Sequence, residues 1–106
     1  MNDVHLTLQI PREHPSYAGH FPGRPIVPGV VLLDLVLQAA EALPDWPGTP
    51  TSPLEIPVCK FLHSVLPGAT LTLTLGAGHT PGALNFRLQQ DTLLVASGSL
   101  RRVANT

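Results

Sequence analysis

Charged side chains are scarce in this sequence. They make up 12% of the 106 residues, the formal net charge is −1, and neither acidic nor basic residues form a run. A protein that binds nucleic acid needs a positive field to meet the phosphates. The composition therefore excludes nucleic acid as a partner.

Cysteine and long hydrophobic runs are also lacking. The single cysteine, Cys59, cannot form an internal disulfide and has no second thiol for a zinc site. No apolar run reaches the roughly 18 to 20 residues of a membrane span, and Met1-Asn2-Asp3 lacks the cationic start of a secretory signal. We therefore expect a cytoplasmic protein with no membrane partner.

Proline is abundant, with twelve residues that divide the chain into short elements. Residues 4–10 alternate between apolar and polar side chains, which predicts a half-buried strand that ends at Pro11. Residues 12–28 contain too many prolines and glycines for a long helix or strand. They predict a shaped loop.

A proline-free run follows, at residues 29–43, and it predicts a helix that Pro44 ends. Its polar residues Asp34, Gln38 and Glu41 share one narrow stripe, because they are spaced at i, i+4 and i+7. Ordinary surface helices have a wider polar face. The pattern predicts a helix that protein surrounds on most sides.

The rest of the chain has the pattern of strands. A loop at 44–53 contains Trp46, and strands are predicted at 54–63, 69–75, 83–89 and 92–103, with Pro57 indicating an edge or a bulge. The layout predicts one α+β domain, residues 1–106, in which a curved antiparallel sheet wraps around one long central helix.

Two motifs resemble a known family. Residues 20–30, His-Phe-Pro-Gly-Arg-Pro-Ile-Val-Pro-Gly-Val, with an acid at position 34 and Gln38-Ala39-Ala40, are similar to the signature of the β-hydroxyacyl-ACP dehydratases of the FabZ and FabA type. Residues 60–68 are similar to the strand and turn that follow the helix in that family. The resemblance implies the hotdog fold, which agrees with the predicted layout.

The resemblance also implies an activity and a shared active site. Family members dehydrate 3-hydroxyacyl thioesters to trans-2-enoyl thioesters on acyl carrier protein, and they work as homodimers. Each site takes the histidine of one subunit and the helix acid of the other. Carried over to this sequence, His20 of one chain faces Asp34 of its partner.

The chemistry fits these residue types. Neutral imidazole suits the removal of the α-proton near neutral pH, so His20 is assigned as the base, and a protonated Asp34 supplies a proton to the leaving hydroxyl. Gly29 begins the helix, where free N–H groups meet the charge on the thioester oxygen. Phe21, Val30 and Gln38 are assigned to substrate binding, and Gln38 either orients Asp34 or faces solvent. Acid, base and oxyanion donor suffice, so no metal or redox cofactor is implied.

Three departures from the family pattern stand out. Asp34 is typical of the FabA branch, whereas the residues after His20 resemble FabZ. The helix and strand that precede Val4 in full-length members are absent from this sequence. His63 stands where the family often has arginine. Short chains of this kind resemble dehydratases of accessory pathways, such as those that make aryl polyene pigments.

Two other functions remain open. A hotdog thioesterase would use the helix acid on water or on the thioester. A non-catalytic subunit would bind acyl carrier protein or a second hotdog chain. The scattered cations Arg24, Lys60, Arg87, Arg101 and Arg102 form either a weak basic patch for an acidic carrier protein or ordinary solvated charges.

Overall fold

A computed structural model describes residues 2–17, 26–44, 46 and 52–103. His20 and Phe21 lie outside these ranges, so their assigned roles stay predictions. Within the ranges, the elements are β1 (Val4–Gln9), a 3₁₀ turn (Pro15–Tyr17), α1 (Gly29–Glu41), β2 (Leu54–Phe61), β3 (Thr70–Ala77), β4 (Ala83–Gln90) and β5 (Leu93–Arg102). Every predicted strand and the helix are present, with ends shifted by a few residues.

The five strands form one antiparallel sheet in the order β1-β3-β4-β5-β2. Strands β3, β4 and β5 follow one another as hairpins. The first strand pairs with β3 and the second with β5, so β1 and β2 form the two edges of the sheet. These two pairings join segments far apart in the sequence.

The inner face of the sheet is built from alternate residues of its central strands. In β3, leucines are buried while threonines lie on the outer face, as the alternation predicts. In β4, the same spacing buries two leucines and a phenylalanine. The buried inner side chains of these two strands are Leu71, Leu73, Leu75, Leu84, Phe86 and Leu88.

Helix α1 packs one apolar face into the same core. Its buried residues Val31, Leu32, Val36 and Ala40 recur at helical spacing and belong to one cluster with the inner face of the sheet. The polar stripe is exposed, and leucines beside it are only partly buried. A single chain therefore encloses the helix less than the sequence predicts. No helix among the described residues is long and apolar enough to cross a membrane.

The C-terminal end of α1 is tied to the sheet by Arg102, which is 8% exposed. Its guanidinium pairs with Glu41, the last residue of the helix, and donates to the Ser52 carbonyl at 2.7 Å. The ring of Trp46 lies 5.4 Å from the guanidinium carbon and its Nε1 donates to the Gly82 carbonyl. These contacts fix where the helix ends relative to β5.

Pro57 indicates an edge or a bulge, and strand β2 has both an edge position and an irregular register. Its register against β5 shifts between Glu55 and Val58, and the neighbour found for it among the described strands is β5 alone. Ile56, Val58 and Phe61 leave 38%, 45% and 49% of their surface exposed. An edge strand that exposes apolar side chains is typical of a surface that another chain covers.

Replacement of Gly98 by alanine should destabilise the fold. A Cβ at Gly98 would lie 2.8 Å from the Phe86 ring and closer still to the Val58 carbonyl, and neither group can move without disturbing the core. We expect Gly98→Ala to lower the free energy of unfolding in urea by about 1 to 3 kcal/mol. Gly76→Ala is the matched control, because the Cβ there meets the end of the flexible Asp3 side chain. Equal losses in both variants would contradict this packing.

Candidate active site

The N-terminus of α1 presents backbone N–H groups that have no partner within the described ranges. The N–H groups of Val31 and Leu32 reach the Pro28 carbonyl at 3.0 and 3.4 Å, and no side chain caps the helix. The N–H groups of Gly29 and Val30 have no hydrogen-bond partner in the described part of the chain. Gly29 is the first residue of the helix, as predicted. These two N–H groups are the kind of donors that suit an oxyanion.

A cavity of about 240 Å³ lies beside this helix terminus. One wall comes from residues 26–32 and the other from residues 61–64. The Val27 N–H joins the two segments, because it donates to the Val65 carbonyl at 2.8 Å. The Phe61 ring lies against Gly29, where an added Cβ would come within 2.8 Å of two ring carbons. The absence of a side chain at Gly29 thus lets the aromatic ring approach the helix terminus. The cavity is lined by Ile26, Val27, Gly29, Leu32, Phe61, Leu62, His63 and Ser64.

Asp34 lies on the exposed side of α1, and Gln38 holds its carboxylate. The Gln38 Nε2 donates to the Asp34 Oδ2 at 2.8 Å, one helical turn apart. Gln38 is both exposed to solvent and in contact with Asp34, so its role stays a prediction. The bond restrains one carboxylate oxygen, so the Oδ1 atom is left for other contacts.

The structure brings some of the predicted residues together and leaves others apart. Asp34 and Gln38 are in contact, whereas neither of them, nor Val30, lines the cavity beside Gly29. Asp34 follows Gly29 by five residues, which is about 7.5 Å along a helix axis. Val30 is 67% exposed. Within one chain, therefore, Asp34 lies apart from the cavity.

Sequence reasoning missed the wall of the cavity that Phe61, Leu62, His63 and Ser64 provide. The second family-like motif, residues 60–68, contained all four, but their position beside the helix terminus was not evident. That position depends on the hydrogen bond between Val27 and Val65. Val27 precedes the helix in the sequence, whereas Val65 follows it.

The basic residues that the structure describes lie in different surroundings. Arg101 pairs with Glu55 at 3.4 Å, and Arg102 is buried against Glu41. Lys60 and Arg87 line a different groove on the sheet, while Arg24 lies outside the described residues. Among the cations that the structure describes, two are paired with acids and two share a groove, so these four do not form a single patch.

Within the described ranges, neither Cys59 nor the other potential metal ligands form a second reactive or metal-binding site. Cys59 is partly buried on β2, as expected of a strand residue, and burial raises the pKa of its thiol, which disfavours the reactive thiolate. Among the described residues, no group of three or more His, Cys, Asp or Glu side chains is placed to hold a metal ion.

Comparison with solved structures identifies the fold as a hotdog. The structure of the dehydratase heterocomplex ApeI:P from Xenorhabdus doucetiae matches 93% of this chain and 85% of that chain, with a TM-score of 0.73 and 28% identity. The fluoroacetyl-CoA thioesterase FlK matches 96% of this chain and 84% of that chain, with a TM-score of 0.65 and 16% identity. The likeness to FlK concerns the fold alone.

Sequence comparison gives the family. The model of the ApeI-like family, described as ApeI dehydratase, matches residues 1–99, so the chain belongs to that family. The 3-hydroxyacyl-[acyl-carrier-protein] dehydratase FabZ of Thermus thermophilus is 42% identical over 64 residues, which are 56% of this chain and 45% of that protein. The chain spans about half the length of the curated relatives it matches.

The two polar contacts of the helix stripe should differ in their effect on stability. Gln38→Met removes a bond between exposed side chains, so we expect a loss of at most about 0.5 kcal/mol in urea unfolding. Arg102→Met breaks contacts of a buried guanidinium, and we expect a loss of about 2 kcal/mol. A larger loss in Gln38→Met than in Arg102→Met would mean that the Asp34–Gln38 pair serves the fold.

Proposed function

We propose that this chain is a dehydratase that converts 3-hydroxyacyl thioesters to trans-2-enoyl thioesters. The observation that carries the proposal is helix α1 of an ApeI-like family member. It combines N–H groups at Gly29 and Val30 that have no partner among the described residues with a carboxylate at Asp34 that Gln38 holds. FabZ relatives are named for substrates on acyl carrier protein, and we assign this chain a substrate on that carrier or on coenzyme A. The accessory pathway expected from the sequence stays a prediction.

The proposed reaction uses one base and one acid. His20 takes the proton from carbon 2 of the substrate, the electron pair forms the double bond between carbons 2 and 3, and the bond from carbon 3 to oxygen breaks. The leaving oxygen takes a proton from the Asp34 carboxyl and departs as water. Transfer of the proton from His20 back to Asp34, through solvent, restores the site.

The helix terminus supports the formation of charge on the thioester oxygen. Removal of the α-proton moves negative charge onto that oxygen, and two N–H donors at the positive end of a helix stabilise it. The Gly29 and Val30 N–H groups have no competing partner among the described residues. Apolar side chains of the adjacent cavity, such as Leu32 and Phe61, suit an acyl chain.

Two observations support a site shared between two copies of the chain. The exposed Asp34 does not line the cavity beside Gly29 of its own chain. Strand β2 also ends the sheet with exposed apolar residues, so a second chain that pairs along β2 would bury them. We infer a homodimer in which His20 and Asp34 of different chains face one another.

A second candidate is a subunit of a mixed complex. The Xenorhabdus doucetiae structure is described as a heterocomplex, and its 28% identity covers most of this chain. The same β2 edge would then pair with a different hotdog chain, which would contribute the second half of each site. The thioesterase alternative has support from the fold alone.

The product of the reaction separates these functions. We expect the purified protein, given a 3-hydroxyacyl thioester on acyl carrier protein, to yield a carrier lighter by one water in mass spectrometry. Loss of the whole acyl group would indicate a thioesterase. An unchanged carrier, from a protein that size-exclusion chromatography shows to be a homodimer, would contradict the proposed function.

The two assigned catalytic residues should each be needed for turnover. Loss of general acid or base catalysis typically costs about 10² to 10⁴-fold, so we expect Asp34→Asn and His20→Ala each to lower kcat by about 100-fold or more. Glu41→Gln is a control on the same helix stripe, and we expect it to change kcat by less than about fivefold, because Glu41 pairs with Arg102. A kcat near the unmodified value in Asp34→Asn would remove Asp34 from the mechanism.

A further inference from the structure

His63 lies at the rim of the cavity beside Gly29. Its side chain is exposed, and with Ser64 it adds polar groups to walls that are otherwise mainly apolar. The cavity thus combines apolar side chains, such as the buried Leu32 and the half-exposed Phe61, with the polar groups of His63 and Ser64. Such a combination suits an elongated ligand with an apolar end and a polar end.

The backbone around His63 is held firmly against β5. The N–H groups of Leu62 and His63 both reach the Val95 carbonyl, at 2.8 and 3.3 Å. The His63 Nδ1 lies 3.0 Å from the Leu94 carbonyl. Backbone and ring are therefore both fixed before any ligand arrives, which lowers the entropy cost of a contact with it.

The contact with Leu94 also sets the tautomer of the ring. A carbonyl oxygen only accepts hydrogen bonds, so Nδ1 donates and carries the proton. In the neutral ring, Nε2 then has a free lone pair. No hydrogen-bond partner for Nε2 occurs in the part of the chain that the structure describes.

We propose that His63 is a positioning residue that binds the carrier arm of the thioester, with Nε2 accepting a hydrogen bond from an amide N–H of that arm. The inference rests on the proposed function for the identity of the ligand. Pantetheine arms have amide groups a few bonds from the sulfur, whereas the acyl chain has none.

Two amide variants separate substrate binding from a structural role. His63→Asn retains a short amide that can donate to the Leu94 carbonyl but does not extend to the position of Nε2. His63→Gln extends an amide carbonyl to about that position. If the ring binds the substrate, His63→Gln should keep the KM of the unmodified protein and His63→Asn should not. If the ring serves only the fold, His63→Asn should be the less affected variant.

The substrates are a 3-hydroxyacyl pantetheine thioester and the propyl thioester of the same acyl group, which has no amide. For His63→Asn we expect KM to rise about 10-fold with the pantetheine substrate, as for the loss of one hydrogen bond. KM for the propyl thioester and both kcat values should stay within about twofold. Equal effects on the two substrates, or similar KM values in the Asn and Gln variants, would overturn the proposal.

Binding without turnover keeps this test apart from the proposed reaction. A thioether analogue of the pantetheine substrate cannot react, and its affinity can be measured by calorimetry. Suppose that the unmodified protein dehydrates no thioester but binds the analogue, and that only His63→Asn binds it about 10-fold more weakly. The proposed reaction is then wrong, whereas the proposed role of His63 is supported. No binding, or equal affinity in all variants, contradicts that role.

Discussion

The hydrogen bond from the Val27 N–H to the Val65 carbonyl is the contact on which the candidate site depends. It joins the segment that enters α1 to the segment that leaves β2. Val27 and Val65 are both almost fully buried, so the bond is protected from water. The position of Gly29 beside Phe61, and hence the cavity itself, follows from this connection.

The polar stripe of α1 combines two different tasks. At its C-terminal end, Glu41 pairs with the buried Arg102 and fixes the helix to β5. One to two turns earlier, Gln38 holds Asp34 on an exposed surface, where the pair contributes little to stability. A polar contact that does little for the fold but restrains a carboxylate is consistent with a catalytic use.

Local pattern was enough to predict the elements of this fold. Alternating leucine and threonine predicted β3 and its buried face. Pro57 predicted an edge or a bulge in β2, and the structure has both. The pairing of β1 with β3 and of β2 with β5 was not predictable in the same way, because it joins distant segments. The cavity wall at Phe61 and His63 depends on the pairing of β2 with β5 and on the bond between Val27 and Val65, so it became visible only in the structure. The positions of His20 and Phe21 lie outside the described residues, and their roles still rest on the motif.

The central claim is that one active site needs two chains, and mixing of inactive variants tests it most directly. His20→Ala and Asp34→Asn proteins, each inactive alone, are combined under conditions in which mass spectrometry shows that subunits exchange. Our account predicts that dehydratase activity returns, because each mixed dimer has one site with both an intact histidine and an intact aspartate. Activity that stays absent after proven exchange would contradict the shared site.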